Sequence, residues 1–215
     1  MRVRSIAVIR FLTAATMIAA PNLSFAAGPT SYAFNLGKDI RRIVEGDRSI
    51  APFASVVFCT QHSDQCSDTG GDDIIELTQA KKDELLAVNS GVNRAIRPQN
   101  DPAGRDEWNV DVSEGDCEDY ALTKRKHLLS LGWSSRALRI AVAMTSSGEG
   151  HAVLVVKTSL GDLVLDNRTS QVRDWTKTGL RWVKIQSADP RVWMAMSPRP
   201  APLFVASART APIEE

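Results

Sequence analysis

The chain has 215 residues, 43% of them hydrophobic and 24% charged, with a formal charge of +1 at pH 7. That length supports one domain with a real core and a tail. With 26 basic and 25 acidic side chains in near balance, no polybasic stripe suggests nucleic-acid binding.

Residues 1–26 read as a secretory signal peptide. Arg2, Arg4 and Arg10 supply positive charge, Phe11 to Ala20 form the apolar run, and Ser24-Phe25-Ala26 offers small residues at −3 and −1 for cleavage after Ala26. The apolar run is shorter than the ~20 residues of a membrane span. Cleavage removes three arginines and no acid, so the formal charge falls from +1 to −2. The expectation is an exported chain with no stable membrane insertion once the leader is gone. Residues 27–196 then form the domain, and residues 197–215, rich in Pro and Ala, a disordered tail.

Export changes how the three cysteines read. An odd number in an oxidising compartment suggests one pair and one leftover. Cys59 and Cys66 enclose "TQHSDQ", full of turn formers, and are the expected disulfide; two free thiols are the alternative. Cys117 is the leftover.

Along the chain, "KDIRRIVEG" suggests a short helix and "FASVVF" a strand leading into Cys59. "LTQAKKDELLAVNSGVNRAI" has Leu85, Val88, Val92 and Ile96 at helical spacing, Thr78 as N-cap and Pro98 as the stop. A long loop follows. The next helix starts near Asp116 and ends at Gly132, a suitable C′ residue. Cys117, Ala121, Lys124, Leu128 and Leu131 share one face. There the Lys124 stem covers apolar surface with its ammonium in water, while Arg125 and Lys126 are solvated. Four β-like runs close the domain: "ALRIAVAM", "HAVLVV", "DLVLDN" and "RWVKIQ". Helices first and an antiparallel meander afterwards make an α+β domain.

The chemistry centres on Cys117, at the first turn of its helix, where unpaired N–H groups and the helix dipole favour a thiolate. The acids flanking it, Asp116 and Glu118, act against this. A nucleophile needs a base and a residue to orient that base. His151 opens the strand "HAVLVV", and Asp166 ends "LVLD" fifteen residues later. Two antiparallel strands bring them face to face only if Val156 opposes Gly161, with a loop from Lys157 to Leu160. A tighter turn at Gly161-Asp162 places Asp166 opposite Lys157, roughly 20 Å from His151. Residue by residue, bland readings stand beside this one: a buried cysteine, a hydrogen-bonded histidine, a turn aspartate. Trp108 is either a wall of the site or a core aromatic.

The words "GDCEDYALTKRKHLLSLGW", "GEGHAVLVV" and "LVLDN", with "LTQAKKDELLAVNSGVN" and Trp108 before them, together resemble the bacterial transglutaminase-like cysteine peptidases. The resemblance runs from about Cys59 to Trp193. It implies a papain-like, transglutaminase-like core of N-terminal helices on an antiparallel sheet. It implies Cys117 as nucleophile, His151 as general base and Asp166 as its orienting residue, with a thioester acyl-enzyme on a protein substrate. It also implies a periplasmic or secreted bacterial protein acting on a periplasmic or cell-surface partner, with Ca²⁺ at Asp116, Glu118 and Asp119 and no organic cofactor. Ca²⁺ takes about six to eight oxygens, and helix N-terminal acids have a simpler role against the dipole. Transfer of the acyl group to an amine and a non-catalytic calcium-binding module are the alternatives.

Overall fold

The computed structural model describes residues 42–196. The expected leader, the tail and the first residues of "KDIRRIVEG" lie outside them. The remainder of that word is no helix: it runs straight into β1 (Glu45–Ser49).

"FASVVF" is also not a strand. It lies in a helix, α1 (Phe53–Gln61), followed by a 3-10 turn (Ser63–Cys66). Ala54 and Phe58, four residues apart, are buried against the core, which fixes the helical period that a short apolar run leaves ambiguous. The second helix, α2 (Gln79–Ala95), is as expected. Thr78 Oγ1 accepts from the Lys81 N–H at 3.3 Å, and Leu85, Val88 and Val92 are buried. The long loop contains two short strands, β2 (Arg97–Pro98) and β3 (Glu114–Gly115), paired parallel. Next comes α3 (Cys117–Ser130), closed by Gly132 at φ +81°, the left-handed conformation of a C′ glycine.

Six strands follow: β4 (Leu138–Met144), β5 (Gly150–Thr158), β6 (Gly161–Leu165), β7 (Val172–Asp174), β8 (Arg181–Gln186) and β9 (Trp193–Met196). With β1 they form one sheet in the order β1-β9-β8-β4-β5-β6-β7, all neighbours antiparallel. The expected α+β class holds. β4 to β7 are a meander, and β8 returns to the other side of β4.

The pleat divides the core. Ile140, Leu154, Val156, Leu163 and Leu165 pack with Phe58, Leu85, Val92 and Leu128 from the helices. Ala141, Val153, Val155, Val164 and Ile185 pack on the opposite face with Trp175 and Met196. β5 is buried on both sides, so its apolar run is continuous and does not alternate. Each fully buried Val, Leu or Ile contributes about 1.5–3 kcal/mol. Among the described residues no helix is long and apolar enough to cross a membrane.

Two side chains on α3 correct the expectation of solvated cations. Lys124 is fully buried and Arg125 is 2% exposed. The Arg125 Nε donates to the Leu138 carbonyl at 3.2 Å and its Nη1 to the Gln65 carbonyl at 2.5 Å, tying α3 to β4 and to the disulfide loop. Lys126 is half-exposed and pairs with Asp111. Leu131 is 50% exposed and has left the buried face.

Candidate active site

Cys59 and Cys66 form a disulfide with Cα atoms 5.4 Å apart, leaving Cys117 as the free thiol. Cys117 is the first residue of α3. Its N-cap, Asp116, is held by the second half of a capping box: the Asp119 Oδ2 accepts from the Asp116 N–H at 3.3 Å. The other Asp119 oxygen accepts from the Asn109 N–H at 2.7 Å. Asp119 therefore holds backbone N–H groups with both of its oxygens. Gly115 makes room for it, since a Cβ there would overlap the Asp119 carboxylate.

The α3 N-terminus packs on the start of β5. The Ala152 N–H donates to the Cys117 Sγ at 3.3 Å. Cys117 and His151 line a cleft of about 620 Å³, with Trp108, Glu118, Arg168 and Lys184 among its other walls. Trp108 fills both roles open to it. It walls the cleft, is 6% exposed, and packs edge-on against Trp193 with centroids 6.2 Å apart.

His151 and Asp166 are both buried, with Nε2 and Oδ1 2.9 Å apart. The strands reach this contact by a register other than the expected pairing of Val156 with Gly161. Thr158 opposes Gly161, and Leu154 opposes Leu165. The connection is a two-residue turn, Ser159-Leu160, closed by Thr158 Oγ1 donating to the Gly161 carbonyl at 2.6 Å. Continued by one pair, this register sets Asp166 opposite Val153, two residues from His151. Two residues along a strand return to the same face, so imidazole and carboxylate are diagonal neighbours, within reach of long side chains. The Asn93 amide of α2 donates to the Asp166 carbonyl at 3.1 Å and holds the turn after β6 in place.

Arg168, which no spacing pointed to, completes this corner. Its N–H and guanidinium donate to both oxygens of Asp166 at 2.9–3.3 Å. Burial alone would raise the Asp166 pKa, but hydrogen bonds from His151 and Arg168 override it and hold the carboxyl far below the usual range. Asp166 therefore stays anionic, and by accepting at Nε2 it leaves Nδ1 as the free nitrogen of the ring.

The acids around Cys117 push the other way. Burial, then the charge of Glu118, drives the thiol pKa well up. The thiol donates to Glu118 Oε2 at 3.0 Å. Burial and the neighbouring Asp116 raise Glu118 in turn, and burial lifts Asp119 to about 7. The helix N-terminus alone does not offset these acids.

One further acid joins them. Asp101, Asp116 and Glu118 each present a carboxylate oxygen within 4.8 Å of the others. Sequence spacing had no means of finding Asp101. It arrives because β2 pairs with β3, bringing the loop back so that the Asp101 N–H donates to Asp116 Oδ2 at 3.3 Å. The Asp116 Oδ1 is buried with no hydrogen-bond partner. Three converging hard oxygen donors with an orphaned oxygen among them fit a cation such as Ca²⁺.

A family model of bacterial transglutaminase-like cysteine proteinases matches residues 45–200. No curated protein matches the chain. Among solved structures, it is similar to Legionella pneumophila LapG in its calcium-bound form, at 29% identity over 53% of this chain and 68% of that one, with a TM-score of 0.48. A second LapG structure gives 30% identity over the same shares with a TM-score of 0.47. An EGTA-treated one gives 29% over 54% and 70%, also at 0.47. The match across most of the chain shows that it belongs to the bacterial transglutaminase-like cysteine proteinase family, and that it is a transglutaminase-like cysteine peptidase.

Proposed function

We propose that this chain is an exported bacterial endopeptidase working through a Cys117-His151-Asp166 triad on a periplasmic or cell-surface protein. The observation that carries the reading is the buried 2.9 Å contact between Asp166 and His151, the latter lining the same cleft as the free thiol. Asp166 orients the ring and stabilises the imidazolium. His151 Nδ1 takes the Cys117 proton, and the sulfur attacks the scissile carbonyl. The imidazolium returns the proton to the leaving amine as the C–N bond breaks, leaving a thioester. Water, deprotonated by the same nitrogen, attacks the thioester carbon and releases the acid and the thiol. The leader in residues 1–26 and the disulfide support an oxidising compartment.

Asp101, Asp116 and Glu118 are the residues that would hold Ca²⁺. When bound, it supplies positive charge that neutralises the carboxylates beside the thiol. Asp119 fixes the loop by capping, and Glu118 accepts the thiol's hydrogen bond until the proton passes to His151.

Cys117→Ala should abolish cleavage of a periplasmic extract by the purified protein, while retaining bound substrates. Cleavage by that variant at the wild-type rate would sink the triad. A glutamine peptide offered with a labelled amine separates the alternative: label incorporated without cleavage means acyl transfer. For the cation, millimolar Ca²⁺ should raise the melting temperature and accelerate iodoacetamide alkylation of Cys117. EGTA should reverse both effects, and Asp101→Asn should weaken both. Equal response in wild type and Asp101→Asn would remove Asp101 from the site.

A further inference from the structure

The first helix is turned against its own polarity. Ser55 is buried, while Phe53 is 81% exposed, Val56 51% and Val57 38%. Positions 53, 56 and 57 fall on one face of a helix. Ile50, 86% exposed, lies just ahead of them. Single exposed apolar side chains are ordinary, but four large ones within eight residues form a patch, which marks an interaction site.

The patch is rigid and adjoins the cleft. Phe58 anchors α1 in the core, and Cys59 is tied to Cys66. Pro52, between Ile50 and Phe53, lines the cleft together with Cys117 and His151. Lys184, also a cleft residue, donates Nζ to the Ile50 carbonyl at 2.7 Å. The apolar face therefore continues the cleft wall. An extended polypeptide advances about 3.3 Å per residue, so a chain leaving the cleft past Pro52 reaches this face within a few residues. A polypeptide seated in the cleft passes this face, which argues for a substrate segment over a second copy. Because the helix is already ordered, binding there costs little further entropy.

We propose that Ile50, Phe53, Val56 and Val57 form an exosite that binds an apolar segment of the protein substrate, a few residues to one side of the scissile bond. The proposal rests on the endopeptidase reading above.

Its test is digestion of a mixed-sequence library of unstructured peptides by the full mature chain, with cleavage sites read by mass spectrometry. Wild type, the double variant Phe53→Ser/Val56→Ser and Cys117→Ala are compared. The expected result is enrichment of large apolar residues at a fixed offset on one side of the wild-type cut, lost in the double variant. On one such peptide, the ratio of kcat/KM for the full peptide to that for a version truncated before the apolar residue should fall about tenfold in the double variant, as expected for losing roughly 1.4 kcal/mol of apolar contact. No enrichment, or enrichment that survives in the double variant, overturns the exosite while leaving the peptidase intact. Cleavage by Cys117→Ala equal to wild type overturns the peptidase reading itself. A wild-type dimer that the double variant converts to monomer assigns the patch to a second copy and overturns the exosite. An unchanged Cys117 alkylation rate in the double variant shows that its cleft is still formed.

Discussion

The Nζ of Lys124 is buried within the field of Asp166, 5.9 Å from the centre of the Tyr120 ring, with no hydrogen-bond partner. Burial lowers its pKa to about 7, against an opposing pull from Asp166. The unfolded chain therefore binds the extra proton between about pH 7 and 10.5, and stability attributable to this residue rises with pH across that window. Lys124→Met should raise unfolding free energy at pH 7 by about 1–4 kcal/mol, as for other buried charges replaced by apolar isosteres. That advantage should shrink by pH 10 in urea denaturation; a constant difference would mean the ammonium carries no proton-linked cost. Asp166 gives the same sign of slope, but as an anion that adds stability. Its pKa is depressed, so its contribution is full above about pH 4 and is lost as pH falls through the folded value. Asp166→Asn should flatten acid unfolding over that range. The proposed triad could be picked out because candidate nucleophile, base and orienting acid come as residue types in the order the family resemblance implies. Lys124 was not, since a lysine on an apolar face ordinarily reaches water.

At the scale of the element, α3 carries the site, and its first turn depends on a glycine. Gly115→Ala would drive a methyl group into Asp119, releasing the Asp116 and Asn109 amides together. A loss of about 1–3 kcal/mol in urea denaturation is expected, from a broken cap plus steric displacement. An unchanged midpoint would show that the cap is dispensable. The Cys59–Cys66 bond closes a short loop at the end of α1 and is worth about 2.5 kcal/mol on loop-closure entropy. α2 was readable to within a residue or two because its stripe is long and capped. "FASVVF" was not: five apolar residues and a serine suit either period, and Ala54 and Phe58 against the core decide between them. The β5–β6 register was missed for a related reason. "TSLGD" allows more than one turn, and the Thr158 hydroxyl closing on Gly161 selects the two-residue one.

For the whole molecule, the leader and the disulfide belong to one prediction. Expressed with residues 1–26, the protein should be recovered from the periplasm with Ala27 as its first residue and with Cys59 and Cys66 oxidised, as read by intact mass. A cytoplasmic product retaining Met1 would overturn export. The amino-acid sequence by itself carried the α+β class and the Cys59–Cys66 pairing, and its resemblance to a family pointed to Cys117, His151 and Asp166 as the proposed triad, because period and residue chemistry are properties of short words. Tertiary structure decided what the words could not carry. It brought Asp101 back to Asp116 through the β2–β3 pairing, withdrew Asp119 into a cap, joined His151 to Asp166 across a diagonal, and left the apolar face of α1 uncovered beside the cleft. Apart from the Asp119 cap, which is a local capping box, these depend on how separate segments pack and on strand register, and not on local spacing.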